Sequence, residues 1–230
     1  MRIPRFSLDE NRGLFDRLTV RGTGTLRLKP DWTELSMTLK SLDKDYARSA
    51  EKAAEQLDAL QRALEDADFS AEALKTTGYR IDTEHESQQD ENGHYRSVFI
   101  GYACVHELKL AFAFDTVKLA RAIDAVTRCV ADPGLDVRFT VRDKDAASDE
   151  LLAAAAANAR AKAETLAKAA GVTLGELLRI DYNCGEPELY SPTGFGMAKR
   201  GAVRATVMEL TMAPEDVEAS DSADFVWAIR

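Results

Sequence analysis

Histidines and cysteines are the residues of this sequence best suited to bind a metal ion or act as nucleophiles, and it has three of each. His85 and His106 lie in strand-like segments, and His94 lies in the polar stretch between them. Imidazoles that meet across a hairpin could bind a transition metal. Successive strand residues face opposite sides, however, and His106 shares its side with Cys104 and with apolar residues as far as Phe114. This pattern favours a packing role for His106 over a metal site.

The cysteines show neither a CxxC pair nor zinc-ligand spacing. Cys104 and Cys129 lie on or beside apolar faces, which is typical of small core residues. Cys184 opens a loop over residues 184–200 that is rich in Gly, Pro and Ser. An accessible thiol could sense oxidants, but the acidic residues around Cys184 would raise its pKa, and the thiolate is the reactive form. We therefore expect an inert cysteine there, with oxidant sensing as the alternative.

The pair Gly22-x-Gly24 resembles part of a dinucleotide-binding loop. The third glycine is missing and a strand follows instead of a helix, so a phosphate would have no helix N-terminus to bind. We predict a bulge or a close backbone approach at these glycines. The sequence contains no GxSxG, Walker, HExxH or kinase motif. We accordingly assign no catalytic, cofactor-binding or metal-binding residues.

Composition excludes several classes of protein. Hydrophobic residues make up 45% and charged residues 30% of the 230 residues, which is ordinary for a globular protein. The net charge of −9 disfavours binding to nucleic acid or to an anionic membrane surface. No segment reaches the roughly 20 apolar residues of a membrane span. Because the first residues also lack the apolar run of a signal peptide, and the cysteines show no disulfide pattern, we expect a cytoplasmic protein.

The elements that must position these residues alternate between strands and helices. Alternating polarity predicts a β-hairpin over 17–42 that turns at Pro30-Asp31, later strands, and a polar, mobile connection over 86–97. Helical spacing predicts helices over about 43–66, from Asp115 or Thr116 to before Asp132, and over about 145–170. Neighbouring strands often lack a helix between them, which favours antiparallel pairing. We therefore predict an α+β fold, a largely antiparallel β-sheet or sheets with three long helices packed on them.

Apolar stripes assign a buried face to each helix. The first helix would bury Tyr46, Ala50, Ala53, Leu57, Leu60 and Leu64. The second helix would bury Leu119, Ile123, Val126 and Val130. The third, which is rich in alanine and ends at Gly171, would bury Leu152, Ala156, Ala159, Ala163, Leu166 and Ala170. Small residues on this face would let the helix lie close to a sheet.

Several motifs resemble the SIMPL-domain family when they are taken in order. They are Val20-x-Gly22-x-Gly24 followed by Pro30-Asp31, then Gly101-Tyr102-Ala103-Cys104, then the alanine-rich helix with its tail Ala170-Gly171-Val172-x-Leu174-Gly175. The resemblance spans roughly residues 17–213. It implies an α+β fold, self-assembly and a link to oxidative-stress defence, and it implies no established reaction. Relatives include bacterial periplasmic proteins and a eukaryotic protein associated with a signalling kinase.

The resemblance and the motifs together give two alternative functions. The first is a non-enzymatic, self-assembling SIMPL-family protein with a role in stress tolerance. The second is a small-molecule-binding protein or enzyme with its site under the 184–200 loop, lined by Tyr190, Phe195, Met197 and Lys199. We expect residues 1–16 to be an extension and 17–230 a single domain, with sub-lobes over 17–97 and 98–230 as a subdivision.

We also expect a homo-oligomer. The segment 203–212 is apolar on both sides of a strand, and Phe225, Trp227 and Ile229 place apolar surface at the end of the chain. Strand faces and edges that three helices cannot cover need a partner.

Overall fold

The computed structural model describes residues 16–89, 94–183, 185–197 and 213–230, with the backbone alone at residue 197. Within these residues the helices are α1 (Tyr46–Glu65), α2 (Thr116–Arg128) and α3 (Lys144–Ala170), and a short 3-10 helix covers Ala71–Ala73. The strands are β1 (Arg17–Leu28), β2 (Trp32–Asp43), β3 (Leu74–Gln89), β4 (Tyr95–Ala113), β5 (Gly134–Thr140), β6 (Leu174–Asp181), β7 (Tyr190–Met197) and β8 (Val217–Ile229).

The α+β prediction is confirmed, because helices pack on two sheets whose described strands all pair antiparallel. One sheet has three strands in the order β1-β8-β6, and the other has five in the order β3-β4-β2-β5-β7. Each of the three α-helices is preceded by an aspartate whose carboxylate accepts a hydrogen bond from a backbone N–H of the first turn, as N-caps do. These caps are Asp45, Asp115 and Asp143.

The predicted hairpin over 17–42 is wrong. β1 pairs with β8, whereas β2 pairs with β4 and β5. Asp31 explains the difference, because its backbone bonds to Thr140 and Phe114 and its carboxylate accepts the backbone N–H of Arg142. These bonds fix the start of β2 in the five-stranded sheet instead of closing a tight turn on β1.

The chain divides into two compact units that are not continuous in sequence. The first comprises the described parts of Met1–Lys29, Asp143–Leu189 and Asp216–Arg230, and the second those of Pro30–Arg142 and Tyr190–Glu215. In the first unit α3 packs on the three-stranded sheet around Val20, Ala159, Ala163, Phe225 and Trp227. The division into one domain or two sub-lobes at residue 97 stays a prediction.

The core of the second unit lies between α1 and α2 and one face of the five-stranded sheet. Alternate residues of the strands face it, because strand side chains point to opposite sides in turn. Its fully buried members include Leu35, Met37, Leu60, Leu119 and Phe139.

The helices differ from the prediction in some of the residues that they bury. α3 buries Leu151 rather than Leu152, and Leu166 is exposed, whereas Ala159 and Ala163 are buried as predicted. α2 ends at Arg128, which leaves Val130 exposed instead of on the buried stripe.

Two predicted connections are strands instead. In the polar stretch over 86–97, residues 86–89 pair with 95–98. In the 184–200 loop, residues 190–197 form β7 and pair with β5. The predicted strand over 203–212 lies outside the described residues.

Candidate functional site

Gly22 and Gly24 lie on β1 directly beneath α3. A Cβ on Gly22 would lie 2.7 Å from the Cβ of Ala159 and closer still to the carbonyl oxygen of Ala155. A Cβ on Gly24 would overlap the backbone of Leu151. The predicted close backbone approach is confirmed, and these glycines serve helix packing rather than a phosphate.

The three histidines occupy different environments. His106 is buried, its Nε2 lies 2.9 Å from Thr76 Oγ1, and its ring meets the ring of Tyr79 edge to face. Burial lowers the pKa of His106, which favours the neutral ring. His85 is exposed and contacts Phe99. Within the described residues, no group of three or more His, Cys, Asp or Glu side chains could hold a metal ion.

The described cysteines are core residues, as predicted. Cys104 and Cys129 are both buried and free. A hydrogen bond with Cys104, together with desolvation and nearby charge, raises the pKa of Tyr79 to about 12, so this phenol stays protonated at neutral pH. Cys184 lies outside the described residues.

Tyr190 and Phe195, the two predicted pocket residues of the 184–200 loop whose side chains the structure describes, do not lie together. Tyr190 donates a hydrogen bond to Glu34 and lies under the guanidinium of Arg138, whereas Phe195 packs against the core of the second unit. Glu34 and the core-facing Leu35 are successive residues of β2, so Tyr190 and Phe195 serve opposite faces of the sheet. Lys199 and the side chain of Met197 lie outside what the structure describes.

The described strands of the β3–β4 hairpin have one face without formal charge. Register and alternation place ten residues on this side, which we call the aromatic face: Tyr79, Ile81, Thr83, His85, Ser87, Gln89, Tyr95, Ser97, Phe99 and Tyr102. The charged residues of the same segments lie on the opposite face: Arg80, Asp82, Glu84, Glu86 and Arg96. Ion pairs such as Lys40–Glu84 and Arg80–Glu107 lie on that charged face.

Aromatic rings form a connected row on the aromatic face. Tyr102 contacts Tyr46 of α1 at 5.6 Å between ring centroids and Phe99 at 5.3 Å, and Phe99 contacts His85 at 5.6 Å. Tyr46, Phe99 and Tyr95 remain exposed. Sequence analysis missed this face, although the strict alternation of uncharged and charged residues from Tyr79 to Ser87 carried the signal.

The two edge strands of the three-stranded sheet differ in whether side chains bond to their outer backbone groups. On β1, Asn158 of α3 accepts a hydrogen bond from the backbone N–H of Thr23, and Lys162 donates one to the carbonyl of Arg21. On β6, no described strand pairs with the outer side, which we call the β6 edge. Three aliphatic side chains on this strand are exposed, namely Leu177, Leu178 and Ile180.

The described residues therefore define an α+β protein with two antiparallel sheets, an apolar edge that no described strand covers, and a charge-free aromatic face. Comparison with known families then gives its membership. The chain belongs to the SIMPL family, described as a protein of unknown function (DUF541), whose family model matches residues 18–227.

The chain is similar to two curated proteins, each called "26 kDa periplasmic immunogenic protein". One is from Brucella melitensis biotype 1 and the other from Brucella abortus strain S19. Each is 25% identical over 219 residues, which cover 93% of this chain and 85% of the relative.

These relatives correct the predicted compartment. The expectation of a cytoplasmic protein is wrong, because the similar curated proteins are named as periplasmic. That expectation depended on the first residues and on the cysteine pattern, and neither identifies a compartment by itself. Among the described residues, no helix is long and apolar enough to cross a membrane.

Proposed function

We propose that this protein is a periplasmic, non-enzymatic SIMPL-family protein that assembles with copies of itself through the β6 edge. The names of the Brucella relatives support the compartment. The contrast between β1, whose outer side bonds to α3, and β6, whose outer side pairs with no strand that the structure describes, supports the assembly.

An open edge with exposed aliphatic residues is a site where another strand readily adds. Outward-facing N–H and C=O groups can pair with a second chain, and natural proteins usually block such edges. The hydrogen bond that Asn158 accepts from Thr23 and the one that Lys162 donates to Arg21 block β1 in this way. No described residue blocks β6, and Leu177, Leu178 and Ile180 would lose apolar surface to water if a second copy paired there.

The native mass of the full chain tests the assembly. We expect light scattering at micromolar concentration to give a multiple of 25.3 kDa. Ile180→Lys should return the protein to a single chain, because a charge on an edge strand opposes pairing.

Leu166→Lys is the matched control, since Leu166 on α3 is 50% exposed and Ile180 is 52% exposed. It should leave the mass unchanged. A parent mass near 25.3 kDa that stays constant on concentrating would exclude self-assembly. A multimer that persists in Ile180→Lys, with unchanged circular dichroism, would exclude the β6 edge.

Location is tested by fractionation of the organism that makes the protein. We expect osmotic release of the outer compartment to liberate the protein together with a periplasmic marker. Retention with a cytoplasmic marker would contradict the proposed compartment.

We further propose that the assembly contributes to oxidative-stress tolerance, a role that the family resemblance supports. A strain without the protein should survive peroxide less well, and the parent should restore survival more fully than Ile180→Lys. Equal survival with and without the protein would contradict this role.

A further inference from the structure

We propose that the aromatic face of the β3–β4 hairpin binds a neutral oligosaccharide. This site is separate from the β6 edge, since the two surfaces belong to different compact units of the chain. It depends on three observations: the absence of charge, the exposed rings and the hydroxyl and amide side chains among them.

The absence of charged side chains on the aromatic face restricts the charge of the ligand. The aromatic face carries no Asp, Glu, Lys or Arg, whereas the opposite face of the same hairpin carries both signs. A polyanion would find no cation here, and the net charge of −9 would repel it. A cationic ligand would find no carboxylate on this face. The complementary ligand is therefore uncharged.

The side chains between the rings distinguish a sugar from a protein partner. The centre of a protein interface is rich in aromatic residues and poor in charge, as this face is, but it is also poor in serine. On the aromatic face Ile81 is the one aliphatic residue, and Thr83, Ser87, Ser97 and Gln89 lie among the rings. A flat apolar surface would bury the hydroxyl groups of Thr83, Ser87 and Ser97 without partners, at a cost.

A sugar satisfies both kinds of group. The C–H faces of a pyranose pack on aromatic rings, and its hydroxyl groups donate to and accept from hydroxyl and amide side chains. Tyrosine suits this role because it pairs an apolar ring with a polar end. At about 3.3 Å per residue, the strand from Tyr95 to Tyr102 is roughly 20 Å long, which suits an oligosaccharide better than a single sugar.

Saturation-transfer NMR on the full chain tests the site with three neutral probes, chitotetraose, cellotetraose and maltotetraose. We expect transfer to the ring protons of at least one of them and none to tetragalacturonate, the charged control. Phe99→Ser should raise the dissociation constant of the bound sugar about tenfold, since it removes a ring at the centre of the row.

Val98→Ser is the matched control, because Val98 directly precedes Phe99 on the same strand but faces the opposite side of the hairpin. Its exposed fraction is similar, at 37% against 42% for Phe99. It should leave binding unchanged. Tyr95→Ser, at the far and more exposed end of the aromatic face, gives a second test if Phe99→Ser disturbs the hairpin.

Absence of saturation transfer from the protein to any of the three neutral sugars would overturn the proposal. Equal weakening by Val98→Ser, or equal binding of tetragalacturonate, would do so as well. A fall in native mass in Phe99→Ser would assign the face to a second copy of the chain instead. Ile180→Lys should bind sugar as the parent does, which separates this site from the proposed assembly.

Discussion

Replacing Gly22 by alanine should loosen the packing of α3 on the three-stranded sheet. The added methyl group would lie 2.7 Å from the Cβ of Ala159, and closer to the carbonyl oxygen of Ala155, whereas ordinary contact begins at 3.4 Å. Both neighbours belong to the helix, and a backbone oxygen cannot rotate away. α3 would therefore have to retreat by roughly 1 Å, where dispersion contacts weaken sharply.

The expected cost follows from two opposing effects. Overpacking of a well-packed core costs about 1–3 kcal/mol, and a clash with backbone belongs at the upper end. Alanine restricts the unfolded chain more than glycine and returns about 0.4–1 kcal/mol. We expect a net loss of about 2 kcal/mol, which corresponds to roughly 4–8 °C in Tm for a chain of this length. Gly24→Ala should behave alike, because its methyl group would overlap Leu151.

Urea unfolding followed by tryptophan fluorescence measures this loss. The chain has two tryptophans, Trp227 in the same unit as Gly22 and Trp32 in the other. A Trp32→Phe background therefore confines the signal to the affected unit. Gly185→Ala is the control, since Gly185 belongs to the same unit and its new methyl group would meet nothing closer than 4.0 Å. If Gly22→Ala unfolds at the same urea concentration as Gly185→Ala, the close approach of α3 to β1 is refuted.

The remaining predictions concern one helix face and two titrating groups. Ala159→Leu should cost about 1–3 kcal/mol by overpacking, and Arg160→Ala on the exposed side should change the thermal midpoint little; equal shifts would contradict the observed helix phase. Because burial lowers the pKa of His106 in the folded protein, the unfolded chain takes up this proton at a higher pH. The contribution of neutral His106 to stability is therefore present above about pH 6.5 and is lost as the pH falls below that value. His106→Gln should flatten urea midpoints between pH 7.5 and 5.5, and an unchanged slope would show that another group titrates. The side-chain hydrogen bond and charge of Arg21 hold the pKa of Asp224 below 3.8, so the contribution of Asp224 is present above that pH and fades below it. The deficit of Asp224→Asn in urea midpoint should therefore shrink on acidification to pH 3, and a constant deficit would mean that the ion pair is not its source.

Local patterns in the sequence determined the elements and several roles. The order of strands and helices from β1 to β6 follows from alternation and helical spacing. The chemistry of helix ends also limited the start of α2 to Asp115 or Thr116, and Asp115 is its N-cap. The structural role of Gly22 and Gly24 could also be predicted, because two glycines on one side of a strand indicate close backbone approach.

Only the tertiary structure decided which strands pair and which side of α3 is buried. Adjacent strands usually pair, yet β1 pairs with β8 from the far end of the chain, because Asp31 bonds to β5 and the start of β2 belongs to the other sheet. Alanines lie on every side of α3, so its apolar residues do not single out one face. The contact of Leu151 and Ala155 with the glycines of β1 determines which face is buried. The candidate sites needed the same information. A charge-free side of a hairpin becomes a surface only when the register aligns both strands, and an edge is open only when no other element covers it.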